Sequence, residues 1–154
     1  MVDFKICLAK VEDTELLVKH RLSMWTDMIP ELRKQVEESE ELTSGWIKKK
    51  LSEGALIGFI ARTQTGIAAG SGCLWIREEQ PRFTNICLKA PYLMSMYTEK
   101  AFRRRGVASK IVKSAIDWSR EHGYDTINLH ASEAGVPLYL TFGFKTTAEM
   151  RLML

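Results

Sequence analysis

The chain has 154 residues, 45% of them hydrophobic, which suits one domain built on one core. Its formal net charge of +3 and sequence pI near 8.8 are mildly basic, far from the signature of a dedicated nucleic-acid binder but compatible with a local cationic site for an anionic ligand. Three cysteines, Cys7, Cys73 and Cys87, form no CxxC pair, so neither a disulfide framework nor a metal site is expected.

Residues 1–10 lack a long apolar core followed by a small-residue cleavage site, and so do not read as a signal peptide. Residues 4–8 alternate apolar and polar positions, the pattern of a strand. Asp13 or Thr14 caps a helix whose apolar positions, Leu16, Leu17, His20, Met24, Trp25, Met28 and Ile29, recur at helical spacing until Pro30. A polar, acidic stretch at 37–41 precedes a second helix around Trp46, Ile47 and Leu51, with Gly54 as its stop. Runs 55–63 and 67–77 read as strands joined by a hairpin turn at 64–66. The stretch 55–61 is the longest apolar one and is far too short to span a bilayer, so a cytoplasmic protein without membrane contact is expected. Residues 78–85 form a polar loop, and 92–98 another strand.

A basic, glycine-containing turn follows at 103–108, then a helix over 109–122 with Val107, Ile111, Ala115 and Trp118 on one face. A short strand at 126–129, a helix at 133–142 with Pro137 near its first turn, and strands at 144–147 and 150–154 complete the order. The expected fold is α/β (α+β): a single domain over 1–154 with a mixed central sheet of six to seven strands flanked by about four helices.

The turn at 103–108 is where chemistry enters. A helix start presents unpaired N–H groups and the positive end of a dipole. Gly106 permits close backbone approach and Ala108 is too small to block it, while three arginines surround the spot. These are the requirements for holding a pyrophosphate on a helix N-terminus. Taken alone, an arginine-rich turn is more often a solvated face. A second run alters that balance: Ser132-Glu133-Ala134-Gly135-Val136-Pro137-Leu138-Tyr139-Leu140-Thr141-Phe142-Gly143-Phe144, one helix and one strand later.

Arg103, Gly106 and Ala108 match the pattern [Q/R]-x-x-G-x-[G/A] of the GNAT N-acetyltransferase superfamily. Leu138, Tyr139, Gly143 and Phe144 match its later motif, in which Ser132 replaces the usual Asn and Gly135 the usual Ala. The chain resembles that family strongly over 92–144 and only in topology before it. The resemblance implies acetyl-CoA as co-substrate and direct attack of a primary amine, of a small molecule rather than a protein, on the thioester. It implies a pyrophosphate site at Arg103, Arg104, Arg105, Gly106, Val107, Ala108 and Ser109. Met96 N–H would face the thioester carbonyl, Thr98 and Ser132 would contact pantetheine, and Tyr139 would protonate the departing thiolate.

The residues name no general base: Glu79, Glu99, Glu133 and His130 qualify by chemistry alone, and proton loss through water is the default. Trp25 and Met28, with Met24 and Trp46, are candidate acceptor contacts, although such spacing more often marks plain core. The acidic run at 37–41 could draw a cationic amine such as a polyamine, although such a run is more often a solvated helix surface. Competing readings are a non-catalytic CoA-binding regulatory domain, an enzyme acting on protein or peptide amines, and a small nucleic-acid module using 103–105 and 48–50. Dimers are common in the family, and 150–154 could pair at a sheet edge.

Overall fold

The computed structural model describes residues 3–84 and 86–154. The first two residues of the N-terminal stretch and the last residue of the expected 78–85 loop therefore lie outside the described residues. Five strands, β1 Lys5–Leu8, β2 Leu56–Arg62, β3 Ala68–Glu78, β4 Lys89–Thr98 and β5 Asn128–Leu129, form one sheet in sequential order. The first four pair antiparallel, and β5 lies parallel to β4. Five helices accompany it: α1 Thr14–Met28, α2 Arg33–Glu38, α3 Glu40–Ser52, α4 Val107–Glu121 and α5 Val136–Thr141.

The period of two along a strand divides the core between the two sheet faces. Phe59, Ala61, Leu74, Ile76 and Leu93 point to α4 and meet its stripe of Val107, Ile111, Val112 and Ala115. Their strand neighbours Ile60 and Cys73 point the other way, onto Leu17 and Val18 of α1 and Ile47 of α3. The α4 stripe sits at helical spacing and each member is at most 1% exposed, which makes α4 the most firmly seated helix.

The polar stretch 37–41 is an exposed helix surface, ending α2 and opening α3 around a break at Ser39. Ion pairs Arg33–Glu37 and Lys34–Glu38 at i,i+4 support α2, and Ser39 Oγ donates to the Val36 carbonyl where it ends. One expectation is corrected: among the described residues the sheet has five strands rather than six to seven, and residues 144–147 and 150–154 lie outside it. On the side of β5, the strand that precedes them in the chain, a further strand would find only two residues as an edge. Met150 and Leu152 are accordingly 94% and 80% exposed, with no face to bury against.

Candidate functional site

The centre of the site is a break in the ladder of β4. Its first half pairs with β3 on one side and, through Tyr92 and Leu93, with β5 on the other. Between Met94 and Tyr97 the register shifts, so Ser95 and Met96 face no partner on β3, and β5 has already ended. Ser95 adopts φ 55°, the bulge geometry that frees a backbone segment from its ladder. Gly72 makes the bulge possible: a Cβ there would lie 2.3 Å from Met96 Sδ and 2.9 Å from Ile111 Cγ2. The run Gly70-Ser71-Gly72 within an apolar strand was the sequence signal for such a close approach.

Beyond Thr98 the chain turns through Lys100–Phe102 into 103–106 and enters α4. Gly106 occupies the N-cap with φ 80°, and Arg104 has φ 61°. Left-handed residues in a turn aim consecutive N–H groups into one concavity, the geometry of an anion-binding nest. No side chain caps α4, so its first amides have no capping acceptor. The Arg103 side chain is engaged already: Nη2 donates to Asp27 Oδ2 at 2.6 Å and Nε to the Thr98 carbonyl at 3.1 Å. It ties the turn to α1 and to the end of β4. Hydrogen bonding to Arg103 holds the Asp27 carboxyl below its ordinary range.

Across the turn, Ser132 Oγ accepts from Gly135 N at 3.1 Å, so this serine shapes the entry to α5. Gly135 in place of Ala has a steric reason: a Cβ would lie 3.2 Å from both Ser132 Oγ and Tyr139 Cε2. Tyr139 packs edge-on to Phe144 with centroids 5.7 Å apart. Burial raises its phenol above the ordinary value, which keeps it protonated at neutral pH. Among the described residues none hydrogen-bonds its hydroxyl.

A cleft of about 580 Å³ joins these parts; Met96, Thr98, Arg103, Arg104, Gly106, Val107, Ala108, Ser109, Ser132 and Tyr139 all line it. Arg105 is exposed and stands outside. Tyr97, Phe102 and Ala134 join the lining without having been singled out in sequence.

On the opposite face of the sheet, α1 and α3 enclose a second cavity of about 360 Å³. Leu17, Leu42, Trp46, Ile47, Trp75 and Met94 make it apolar, and Arg21, Thr43 and Ser95 are its polar residues. Trp46 was expected near an acceptor; Arg21 and Trp75 were not, because no local spacing marks them. Trp25 reaches this cavity only through Arg21, whose guanidinium lies 5.9 Å from the indole centroid. Met28, 48% exposed at the end of α1, lines neither the cleft nor the cavity.

The candidate bases are placed elsewhere. Glu79 pairs with Arg77, and Glu99 with Lys19. His130 contacts the Tyr92 hydroxyl and Glu149, and Glu133 is exposed. None lines the cleft or the apolar cavity. Burial pushes the Cys73 thiol up to about 12, so no thiolate forms there at neutral pH.

His20 on α1 is fully buried, with Nδ1 2.8 Å from Ser71 Oγ. Its Nε2 is 3.3 Å from Glu99 Oε1 but makes no aligned hydrogen bond, so the contact is electrostatic only. Desolvation dominates and lowers the imidazole below its usual 6.5, with Glu99 opposing. A depressed pKa makes the neutral form the stabilising one. That stability is complete above about 6.5 and is lost as pH falls through the folded-state value. The melting temperature should therefore drop between about pH 7 and pH 5, ahead of the loss from Glu99 and Asp27, whose depressed carboxyls titrate at lower pH. His20→Gln should flatten that interval; equal slopes for both proteins would remove His20 as the cause.

Comparison with known proteins adds an independent line. The acetyltransferase (GNAT) family model matches residues 18–144, from α1 through the Tyr139 motif. A GCN5-related N-acetyltransferase from Ralstonia eutropha superposes with TM-score 0.88 at 23% identity, covering 99% of each chain. A predicted acetyltransferase with acetyl-CoA from Clostridium acetobutylicum superposes with TM-score 0.80 at 23% identity, covering 99% of this chain and 96% of that one. At such identity the likeness is one of fold. Human N-acetyltransferase 8 is 21% identical over 101 residues, 56% of this chain, and the chain spans only 44% of that curated relative.

Proposed function

The chain belongs to the acetyltransferase (GNAT) family of acyl-CoA N-acyltransferases, and on that premise we propose that it moves an acetyl group from acetyl-CoA to the primary amine of a small molecule by direct attack. The observation that carries this reading is the cleft between the β4 bulge and α5. It gathers a ladder-free strand segment, a capless helix start and an unbonded tyrosine hydroxyl around one space.

In this reading the pyrophosphate lies on the amides of 104–109, where the α4 dipole and the left-handed turn favour negative charge. Arg103 organises the turn through Asp27 rather than serving as a free phosphate ligand. Pantetheine runs along the end of β4 past Thr98 and Ser132. The thioester carbonyl meets the Met96 N–H, which stabilises the oxyanion as it forms. The acceptor approaches through the apolar cavity on the other face, because Ser95 and Met96 are consecutive and Ser95 lines that cavity. Its ammonium first loses a proton to water. The neutral amine nitrogen then bonds to the carbonyl carbon, and the carbon–sulfur bond breaks. Tyr139 donates its proton to the thiolate and is restored by the proton that the new amide nitrogen sheds.

The deciding experiment has two stages. Acetyl-CoA at many times any plausible Kd should raise the melting temperature by several degrees. Thiol release from acetyl-CoA should then appear with at least one small amine. An unchanged melting temperature would overturn the cofactor reading, while binding without thiol release on any amine would favour the regulatory alternative.

A further inference from the structure

The apolar cavity contains a charge with nothing to neutralise it. Arg21 projects from α1 between the sheet and α3, in a space walled mainly by leucine, isoleucine, methionine and two tryptophans, with Thr43, Cys73 and Ser95 among them. Its Nη1 donates to Ser95 Oγ at 2.9 Å, and Trp25 lies beside it. No carboxylate among the described residues pairs with it. A guanidinium keeps its charge under all ordinary conditions and offers five donors in a fixed fork, of which one is used here. Burial pulls the guanidinium below its usual value, which reflects the cost of holding this charge away from water. Arg103, Arg62 and Arg77, by contrast, each pair with a carboxylate: Arg103 with Asp27, Arg62 with Asp13 and Arg77 with Glu79.

The position of the charge is informative as well. Ser95 is its partner, and Met96, the residue proposed to receive the thioester carbonyl, is next in the chain, about 3.8 Å away between Cα atoms. An anion held by Arg21 would thus sit within one short span of the attacked carbon. Trp46 and Trp75, edge-on at 5.5 Å, and Leu42 line the same cavity. The shape asks for a molecule with an anionic group one carbon from its amine and an apolar body beyond.

We propose that the acceptor is an α-amino carboxylate with an apolar or aromatic side chain: its carboxylate pairs with Arg21, its side chain fills the Trp46–Trp75 cavity, and its amine faces Met96. This rests on the acetyltransferase reading above and narrows its substrate class. The reaction is balanced as there: the amine becomes an acetamide, and acetyl-CoA becomes free CoA thiol. A polyamine or aminoglycoside is disfavoured, because it would bring further positive charge against a partly desolvated guanidinium that has no carboxylate partner among the described residues. The acidic residues that could welcome such a cation, Glu37 and Glu40, line a separate groove beside α2.

The test compares wild-type kcat/KM for L-phenylalanine, L-phenylalanine amide and phenethylamine, which share amine and ring and differ in the anion. The free acid should exceed both others by about 10- to 100-fold, the range of a charge-assisted hydrogen-bonded pair. In R21Q the advantage should shrink at least tenfold, chiefly through KM, and R21K should retain part of it. A merely structural arginine would leave the ratio unmoved. Equal or better use of phenethylamine by the wild type would overturn the substrate class while leaving the acetyltransferase standing. So would acetyl-CoA binding with no turnover of any of the three but turnover of a polyamine. Failure of acetyl-CoA to bind at all would instead remove the parent reading.

Discussion

Tyr139→Phe is expected to lower kcat by about 10²- to 10⁴-fold, the usual contribution of a positioned general acid. The change removes one oxygen and keeps the ring that packs on Phe144 and fills the space left by Gly135. No described residue hydrogen-bonds the hydroxyl, so its loss orphans no partner and the fold should be spared. Acetyl-CoA should still raise the melting temperature of the variant, since the pyrophosphate turn is untouched. The pH profile gives a second readout. Burial raises the phenol above its ordinary value, so the acid form persists through neutral pH. The wild-type rate should climb as the acceptor ammonium loses its proton and fall only when the phenol ionises, well into alkaline conditions. The variant should lose that alkaline fall. Turnover within a few-fold of wild type would sink the assignment of Tyr139 as acid.

The second large effect concerns charge. Ala108 lies in the first turn of α4 and lines the cleft. A glutamate there suits the helix itself, because an acid near an N-terminus is favoured by the dipole. It does not suit a bound pyrophosphate. Two like charges about 4 Å apart at an effective dielectric near 20 repel by about 4 kcal/mol. Ala108→Glu should therefore weaken acetyl-CoA binding by at least about 100-fold while the unliganded melting temperature holds or rises slightly. Ala108→Gln, nearly the same shape without the charge, should retain much more affinity. Equal losses in both variants would mean that size, not charge, governs this position, and would count against a pyrophosphate there.

The legible parts of the site share one property: they are local. The requirements of an anion-binding helix start, from Arg103 to Ser109, span seven consecutive residues, and the stripe that seats α4 repeats at helical spacing within one segment. Tyr139 sits in another short run with Gly135 and Phe144, its actual packing partners. Apolar runs either side of a turn likewise identified β2 and β3, and the run 92–98 most of β4, because each side of the sheet is covered and both faces of these strands are apolar. The same logic misled at the end of the chain. Residues 144–147 and 150–154 have strand-like composition, but a strand needs an edge to pair with, and the two-residue length of β5 is a property of the assembled sheet.

By itself, then, the sequence determined the parts from which a cofactor end is proposed: a turn, a helix start and a tyrosine motif, each made of residues close together in the chain. Only the tertiary structure decided the other end. Arg21 and Ser95 are 74 positions apart, and Trp46 and Trp75 come from a helix and a strand with no common spacing. The Ser95 bulge, the room made for it by Gly72 and the unpaired charge beside it exist only once β3, β4 and α1 are packed together. The reason is that a half-buried charge takes its meaning from the groups packed around it, and those are set by packing rather than by neighbours along the chain.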